Sequence, residues 1–226
     1  PQHQSACGLV FNEATAARKS FGPAWWEGDA LVAGESRGKL WRVRMVKTPS
    51  GYVGRESLFA RLSMLTMDMA VAKDGALYVT CHSGPPDWGT GPEGEGRLFK
   101  ITHADSAAPQ PAAIWPASPM ELRVAFDHPV DPSVTNQADG MKIEFGEFVS
   151  AADRLENLKP PYKTVTLQEN APRGSLRVAA ATLSPDGRTL ALTTDPHPQA
   201  VAYALTLPGV KAPGAAAAPA TLDLAY

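Results

Sequence analysis

The chain is short of several things that would narrow its chemistry, and each shortage excludes a class. It has only two cysteines in 226 residues, too few for a disulfide framework or a thiolate-rich metal site. Cys7 and Cys81 stand at an arbitrary spacing and read as two separate thiols. Neither sign of charge is in excess. The 21 Lys and Arg nearly balance 23 Asp and Glu, for a net charge of −2, so there is no electrostatic ground to expect nucleic acid or an anionic membrane as partner. No run of about 18 apolar residues exists to span a bilayer as a helix. The first residues, Pro1-Gln2-His3-Gln4-Ser5, lack a Met and the basic-then-apolar layout of a signal peptide. A Gly-rich phosphate loop, a Gly-x-Ser-x-Gly elbow and a Ser-x-x-Lys pair are all missing, which disfavours the nucleotide-binding and serine-nucleophile classes.

What the chain does have is turn formers and short apolar alternations. The 19 Gly and 21 Pro would interrupt long helices and suit many short strands. A hydrophobic share of 44% against 19% charged residues marks a globular chain. A near-repeat organises its first part. Gly28-Asp29-Ala30-Leu31-Val32 lines up with Asp74-Gly75-Ala76-Leu77-Tyr78 at an offset of 46 residues, and Gly38-Lys39-Leu40-Trp41-Arg42-Val43 lines up with Gly96-Arg97-Leu98-Phe99-Lys100-Ile101. Each copy reads as two strands joined by a turn. Self-similarity at roughly 40 to 50 residues, made only of short strands, is the pattern of propeller blades, because one blade cannot bury both its faces without neighbours. Two copies are too few to close a ring.

The expected architecture is therefore all-β: two propeller-like blades over 1–104, an Ala/Pro linker over 105–119, and an immunoglobulin-like β-sandwich over 120–226. In the last part, Leu122-Val124-Phe126 and Met141-Ile143-Phe145 alternate, and Ser184-Pro185-Asp186-Gly187 supplies the backbone angles of a hairpin turn. Val201, Tyr203, Leu205 and Leu207 make a strand with one apolar face, and Thr221–Tyr226 makes a final one. About six strands with turns every 8 to 12 residues suit a small sandwich. Only 150–158 hints at helix.

The second copy carries a twelve-residue excess between its paired strands, running from Cys81-His82-Ser83-Gly84 through Asp87-Trp88 to Gly96. A long polar loop on a rigid scaffold is a usual place for function. In that loop His82 and Asp87 are candidate base and orienter, Cys81 a nucleophile if its thiolate is favoured, and Trp88 a stacking surface. Trp41 and Arg97 are the other candidate ligand-binding residues, and Trp25-Trp26 could join a sugar platform, although aromatics there more often pack between sheets. His82, His103, Asp105 and His128 are of the right types for zinc, manganese or calcium, but in no diagnostic spacing. A metal so held would serve a hydrolase of activated esters, including phosphate esters, by polarising the ester oxygen and acidifying a bound water. Self-association covering open blade edges would give a homo-oligomer.

Ser20-Phe21-Gly22-Pro23-Ala24-Trp25-Trp26, Cys81-His82-Ser83-Gly84 and Pro86-Asp87-Trp88-Gly89-Thr90-Gly91-Pro92 resemble large secreted β-propeller proteins of environmental bacteria, of the heme-binding and quinone-dependent glucose or sorbosone dehydrogenase-like type. Arg123–Pro132 and Leu183–Leu190 resemble the immunoglobulin-like modules that follow such propellers. The resemblance implies a secreted or periplasmic parent with oxidoreductase activity. The chain departs from it where the chemistry lies: no Cys-x-x-Cys-His is present for a c-type heme, and two blades do not make a quinone pocket. The leading expectation is a non-catalytic binding fragment, possible partners being a carbohydrate or a small-molecule ester, with the metal-assisted hydrolase and a residual quinone-dependent sugar dehydrogenase as alternatives.

Overall fold

The structure, a computed structural model, describes residues 6–34, 38–83, 94–155 and 163–226. The chain is all-β, its strands paired throughout in antiparallel ladders. It divides into two units, one formed by His3–Ser106 with Arg154–Asn170, the other by Ala107–Asp153 with Ala171–Tyr226.

In the first unit, β1 (Ala6–Phe11), β2 (Ala30–Gly34), β3 (Lys39–Thr48) and β4 (Gly51–Arg61) form an up-and-down sheet in chain order, and β5 (Leu65–Val71), β6 (Leu77–His82) and β7 (Arg97–Ile101) form a second one. The two sheets share a core in which Leu31, Ala33 and Leu40 meet Met69, Leu77, Val79 and Cys81. Strand β5 lies against β1 and β2. At this crossing Gly8 is indispensable to the spacing, because a Cβ built on it would come within 2.6 Å of the Asp68 Cα.

The repeat seen in the sequence is a repeat of hairpins, β2–β3 and β6–β7, but its register differs by one residue from the sequence match. In the first hairpin Ala30 opposes Val43, Leu31 Arg42, Val32 Trp41 and Ala33 Leu40. In the second, Leu77 opposes Ile101, Tyr78 Lys100, Val79 Phe99 and Thr80 Leu98. Superposing the ladders on β3 and β7 pairs Ala30 with Leu77 and Val32 with Val79, one position further along than the sequence suggests. In a strand such a slip exchanges faces. The residues of the second hairpin that face the shared core, Leu77, Val79, Phe99 and Ile101, thus occupy the ladder positions of Ala30, Val32, Trp41 and Val43, which lie on the outer face of the first.

The β1–β2 connection is tied by one side chain that sequence patterning did not single out. Asn12 is fully buried. Its Nδ2 donates to the carbonyls of Phe21 (2.9 Å) and Trp26 (3.0 Å), and its Oδ1 accepts from the Phe21 N–H at 2.7 Å. All three bonds go to backbone groups of an irregular loop, of which the Trp26 carbonyl also accepts from the Asp29 N–H at 3.2 Å. Around it, Trp26 packs edge-on to Trp25 and Phe59 and against Phe21.

The second unit has two four-stranded antiparallel sheets that share one core, where about six strands in all were expected. One contains β8 (Pro111–Ser118), β9 (Glu121–Phe126), β12 (Val178–Leu183) and β13 (Thr189–Thr194), in the order β12-β13-β9-β8. The other contains β10 (Lys142–Phe145), β11 (Gly174–Leu176), β14 (Tyr203–Val210) and β15 (Ala220–Ala225), in the order β11-β10-β14-β15. Alternation decides what faces inward. Leu190 opposes Val124 and Leu192 opposes Leu122 in one sheet, Ile143 opposes Leu205 and Leu205 opposes Leu224 in the other, and all belong to the common core. The Pro-Asp-Gly turn joins β12 to β13 as expected, with Gly187 at φ +70°.

Two expectations need correction. The Ala/Pro stretch placed in a linker contains β8, an edge strand whose residues pair with β9 from Pro111 to Ser118; Pro is tolerated there because an edge strand leaves part of its ladder unpaired. The hint of helix at 150–158 is a 3-10 turn at Asp153–Leu155, and the α-helix, α1 (Lys163–Asn170), lies further on. Its sequence, rich in Thr and Val, has no strong helical signal of its own. No helix among the described residues is long and apolar enough to cross a membrane.

Candidate functional site

Among the described residues, those expected to carry chemistry each have their own surroundings. Cys81, on β6, points into the core of the first unit, and burial pushes its thiol up to about 11. A group so shifted remains a thiol at neutral pH, so the nucleophile reading of Cys81 is corrected: it is a small core residue. His82 follows it, half-buried on the opposite face of the strand. Asp87 and Trp88 lie outside the described residues. Arg97 is exposed and opposes Cys81 across the ladder. Trp41 is buried, with the Lys39 ammonium 5.8 Å from its ring centroid, and offers no open face for a sugar. Trp25 and Trp26 likewise pack rather than present: the Arg42 guanidinium lies over both rings, 4.2 and 4.9 Å from their centroids. Arg42 also sits 3.4 Å from the Asp29 carboxylate. Burial raises the Asp29 pKa above its ordinary value, and Arg42 and Arg44 hold it back down in part.

Of the candidate metal ligands, His103 and Asp105 are exposed just past β7, and His82, His103 and Asp105 belong to a different unit from His128. His128 keeps to its neighbour, with Nδ1 3.1 Å from Asp127 Oδ1. Among the described residues no three His, Cys, Asp or Glu side chains are gathered as a metal site requires.

The two thiols give a direct check on the environment of Cys81. Cys7 is exposed and Cys81 buried, with no disulfide between them. Alkylation of the native protein at pH 8 is expected to label Cys7 and leave Cys81 unmodified, with Cys81 labelled only on unfolding. Peptide mass spectrometry of the labelled chain reads this out.

A formed concavity lies elsewhere, in the second unit, made by the β8–β9 turn, the loop before β14 and the end of β15. It encloses about 500 Å³ and is lined mainly by Pro116, Pro119, His197, Val201, Tyr203 and Tyr226. Its aromatic wall is fixed from several sides. The Tyr203 and Tyr226 rings stack at 5.2 Å with 20° between their planes, and the β14–β15 ladder holds their backbones together. Phe145 packs on Tyr203 at 5.4 Å and His197 at 4.9 Å. The Tyr203 hydroxyl donates to the Gln199 carbonyl at 2.6 Å.

His197 is held by the turn it faces. Its backbone N–H donates to the Pro119 carbonyl at 2.9 Å, and its ring Nδ1 stands 2.9 Å from the same oxygen. A carbonyl only accepts, so Nδ1 carries the proton and, in the neutral ring, Nε2 is the acceptor. The Tyr226 hydroxyl, 3.0 Å from Nε2, is then the donor. Burial, reinforced by Tyr203, raises the Tyr226 phenol well above its usual value, which keeps that proton in place. The His197–Tyr226 pair is a directional hydrogen bond beside stacked aromatic rings, suited to orienting a bound molecule rather than attacking one.

Sequence reasoning placed Tyr203 and Tyr226 on strands but did not join them with His197. His197 lies in the loop before the strand that carries Tyr203, and Tyr226 lies at the end of another strand, so no spacing marks the cluster. The one available signal was a His between two prolines, Pro196-His197-Pro198, which restricts the loop that delivers it. No protein-family model, curated protein or solved structure matches this chain.

Proposed function

We propose that this chain is a binding module: two blade-like sheets of propeller type followed by an immunoglobulin-like sandwich, related to the secreted dehydrogenase-like propellers, with the aromatic cleft of the second unit taking the ring face of a carbohydrate. The observation that carries the reading is the half-buried Tyr226 ring, backed by the buried Tyr203 and set beside the fixed His197. The apolar face of a sugar ring packs on aromatic side chains, while its hydroxyls take the polar edge at His197 and Gln199. A cleft of about 500 Å³ matches one or two sugar rings. The up-and-down order of β1 to β4 and of β5 to β7, in two sheets that share a core, is the arrangement expected of neighbouring blades. The crossed pairing of β9 with β13 and of β10 with β14 is of the kind found in Greek-key sandwiches.

Calorimetric titration against a panel of neutral mono-, di- and polysaccharides tests the proposal. Saturable binding is expected, weakened about tenfold by His197→Ala, the loss of one oriented polar contact and part of the wall. Tyr226→Phe, which removes only the hydroxyl, is expected to weaken it less. Absence of saturable binding across the panel, or binding indifferent to both substitutions, overturns the reading.

A further inference from the structure

Strands β3 and β4 run on past the sheet that contains them. Strand β2 pairs with β3 no further than Ala30 against Val43, whereas β3 and β4 stay paired as far as Thr48 against Gly51. Residues 44–48 and 51–55 therefore make a two-stranded ribbon, which projects about 17 Å at the rise of an extended strand. Its turn is closed by one side chain. The Thr48 hydroxyl donates to the Gly51 carbonyl at 3.1 Å and accepts from the Ser50 N–H at 3.3 Å. Residues 44–47 and 52–56 are all exposed, so both faces of the ribbon meet solvent. A hairpin with neither face packed is marginal in water.

The residue types follow an order along the ribbon. At its base Arg44 opposes Arg55, a like-charged pair on one face of the ladder, which is locally unfavourable. Beyond this pair come Met45 opposite Gly54, Val46 opposite Val53 and Lys47 opposite Tyr52, and then an uncharged turn. Met45, Val46, Tyr52 and Val53 are 46%, 54%, 67% and 60% exposed, four of the ten large apolar side chains that stand open among the described residues. From 44 to 55 there are three basic residues and no acidic one. Asp29 is close enough to act on Arg44, but it is already faced by Arg42 at 3.4 Å. The net charge of −2 averages over all this: with +3 on the ribbon, the rest of the chain carries −5. Balance over the whole chain is therefore no guide to this end of it.

We infer that the ribbon docks the chain on an anionic lipid surface. The order of its rungs is the order of a bilayer entered from water, with cations at the level of the phosphates and apolar side chains beneath. A phosphate drawn to Arg44 and Arg55 offsets their mutual repulsion and accepts hydrogen bonds from both. Met45, Val46, Val53 and Tyr52 then reach the boundary of headgroups and acyl chains, a depth of about 5 to 10 Å. Lys47 carries its ammonium on a stem of methylenes that can turn back toward the headgroups. A nucleic-acid duplex would use the cations but leave the apolar rungs in water. A second copy placed ribbon to ribbon would set cation against cation. The inference does not rest on the carbohydrate reading, which concerns the other unit.

Co-sedimentation of the full chain with lipid vesicles gives the test. The chain is expected to bind vesicles of mixed phosphatidylcholine and phosphatidylglycerol, to bind phosphatidylcholine alone far more weakly, and to lose the difference as salt is raised. Arg44→Gln combined with Arg55→Gln is expected to weaken binding to the mixed vesicles about 25-fold, about fivefold for each cation. Tyr52→Ser combined with Val53→Ser is expected to weaken it by about tenfold or more. Leu98→Ser removes an exposed apolar side chain from β7, away from the ribbon, and is expected to change nothing. All these positions are exposed, and circular dichroism would verify that the variants fold. Absence of binding to the mixed vesicles overturns the inference. So does binding that is indifferent to lipid charge or to either ribbon pair, or that Leu98→Ser weakens equally. If vesicles are ignored while the ribbon substitutions abolish capture of duplex DNA, or a self-association seen by light scattering, the ribbon serves another partner and the inference falls.

Discussion

Asn12→Ala is expected to unfold the first unit under conditions where the wild type is intact, with a loss of about 4 kcal/mol. The side chain is fully buried and makes three hydrogen bonds to backbone groups of Phe21 and Trp26. Removing it does more than delete three modest contacts. The Phe21 N–H and carbonyl remain buried in a cluster of aromatic rings without the partner they had, and each such group costs about 1 to 3 kcal/mol, while the Trp26 carbonyl keeps the Asp29 N–H. Asn12→Asp separates donor from acceptor: it keeps an oxygen for the Phe21 N–H but sets a carboxylate against two carbonyls, so it is expected to destabilise at neutral pH and to recover in part as acid protonates it. Denaturant unfolding followed by Trp fluorescence reads both variants, because Trp25 and Trp26 report on this loop. A midpoint unchanged by Asn12→Ala would show that the loop does not depend on this hub.

The second large effect is at Gly8. Gly8→Ala is expected to cost about 3 kcal/mol, and Gly8→Val more, by forcing β1 away from β5. The reason is steric and involves backbone rather than a side chain that can turn aside. A Cβ at Gly8 would stand 2.6 Å from the Asp68 Cα and 3.0 Å from the Met67 carbonyl oxygen, and neither can move without displacing β5 from the shared core. The contrast with Gly54 sharpens the test, since there the nearest atom to a built Cβ is a Val43 methyl at 3.5 Å. Gly54→Ala should leave thermal stability within about 0.5 kcal/mol of the wild type. Equal effects at Gly8 and Gly54 would mean that the close approach of the sheets contributes nothing.

The two effects share a cause that bears on the site as well. Stability in the first unit depends on how two sheets and one irregular loop are held at close distance, and neither the hub nor the spacer is apolar. In the second unit, the cleft depends on rings stacked across strands far apart in the chain. Periodicity finds residues that repeat along one strand and is blind to residues that meet across several.

The sequence by itself determined the strand content, because Gly and Pro interrupt it often and the apolar residues between them alternate with period two. It also determined the existence of a hairpin repeat, the Pro-Asp-Gly turn before β13 and the strands bearing Leu122, Leu205 and their neighbours. Only the tertiary structure decided the register of the repeat, since a one-residue slip is nearly invisible in aligned apolar letters but exchanges the faces of one strand of the hairpin, putting Leu98 in solvent and its sequence counterpart Leu40 in the core. It decided that Cys81 is core, because burial is a property of neighbours that are not adjacent in the chain. It turned an apparent Ala/Pro linker into β8, since a strand at a sheet edge is made by its partner as much as by its own residues. And it alone assembled His197, Tyr203 and Tyr226, whose contacts arise from the closure of two ladders and a loop and from no local pattern.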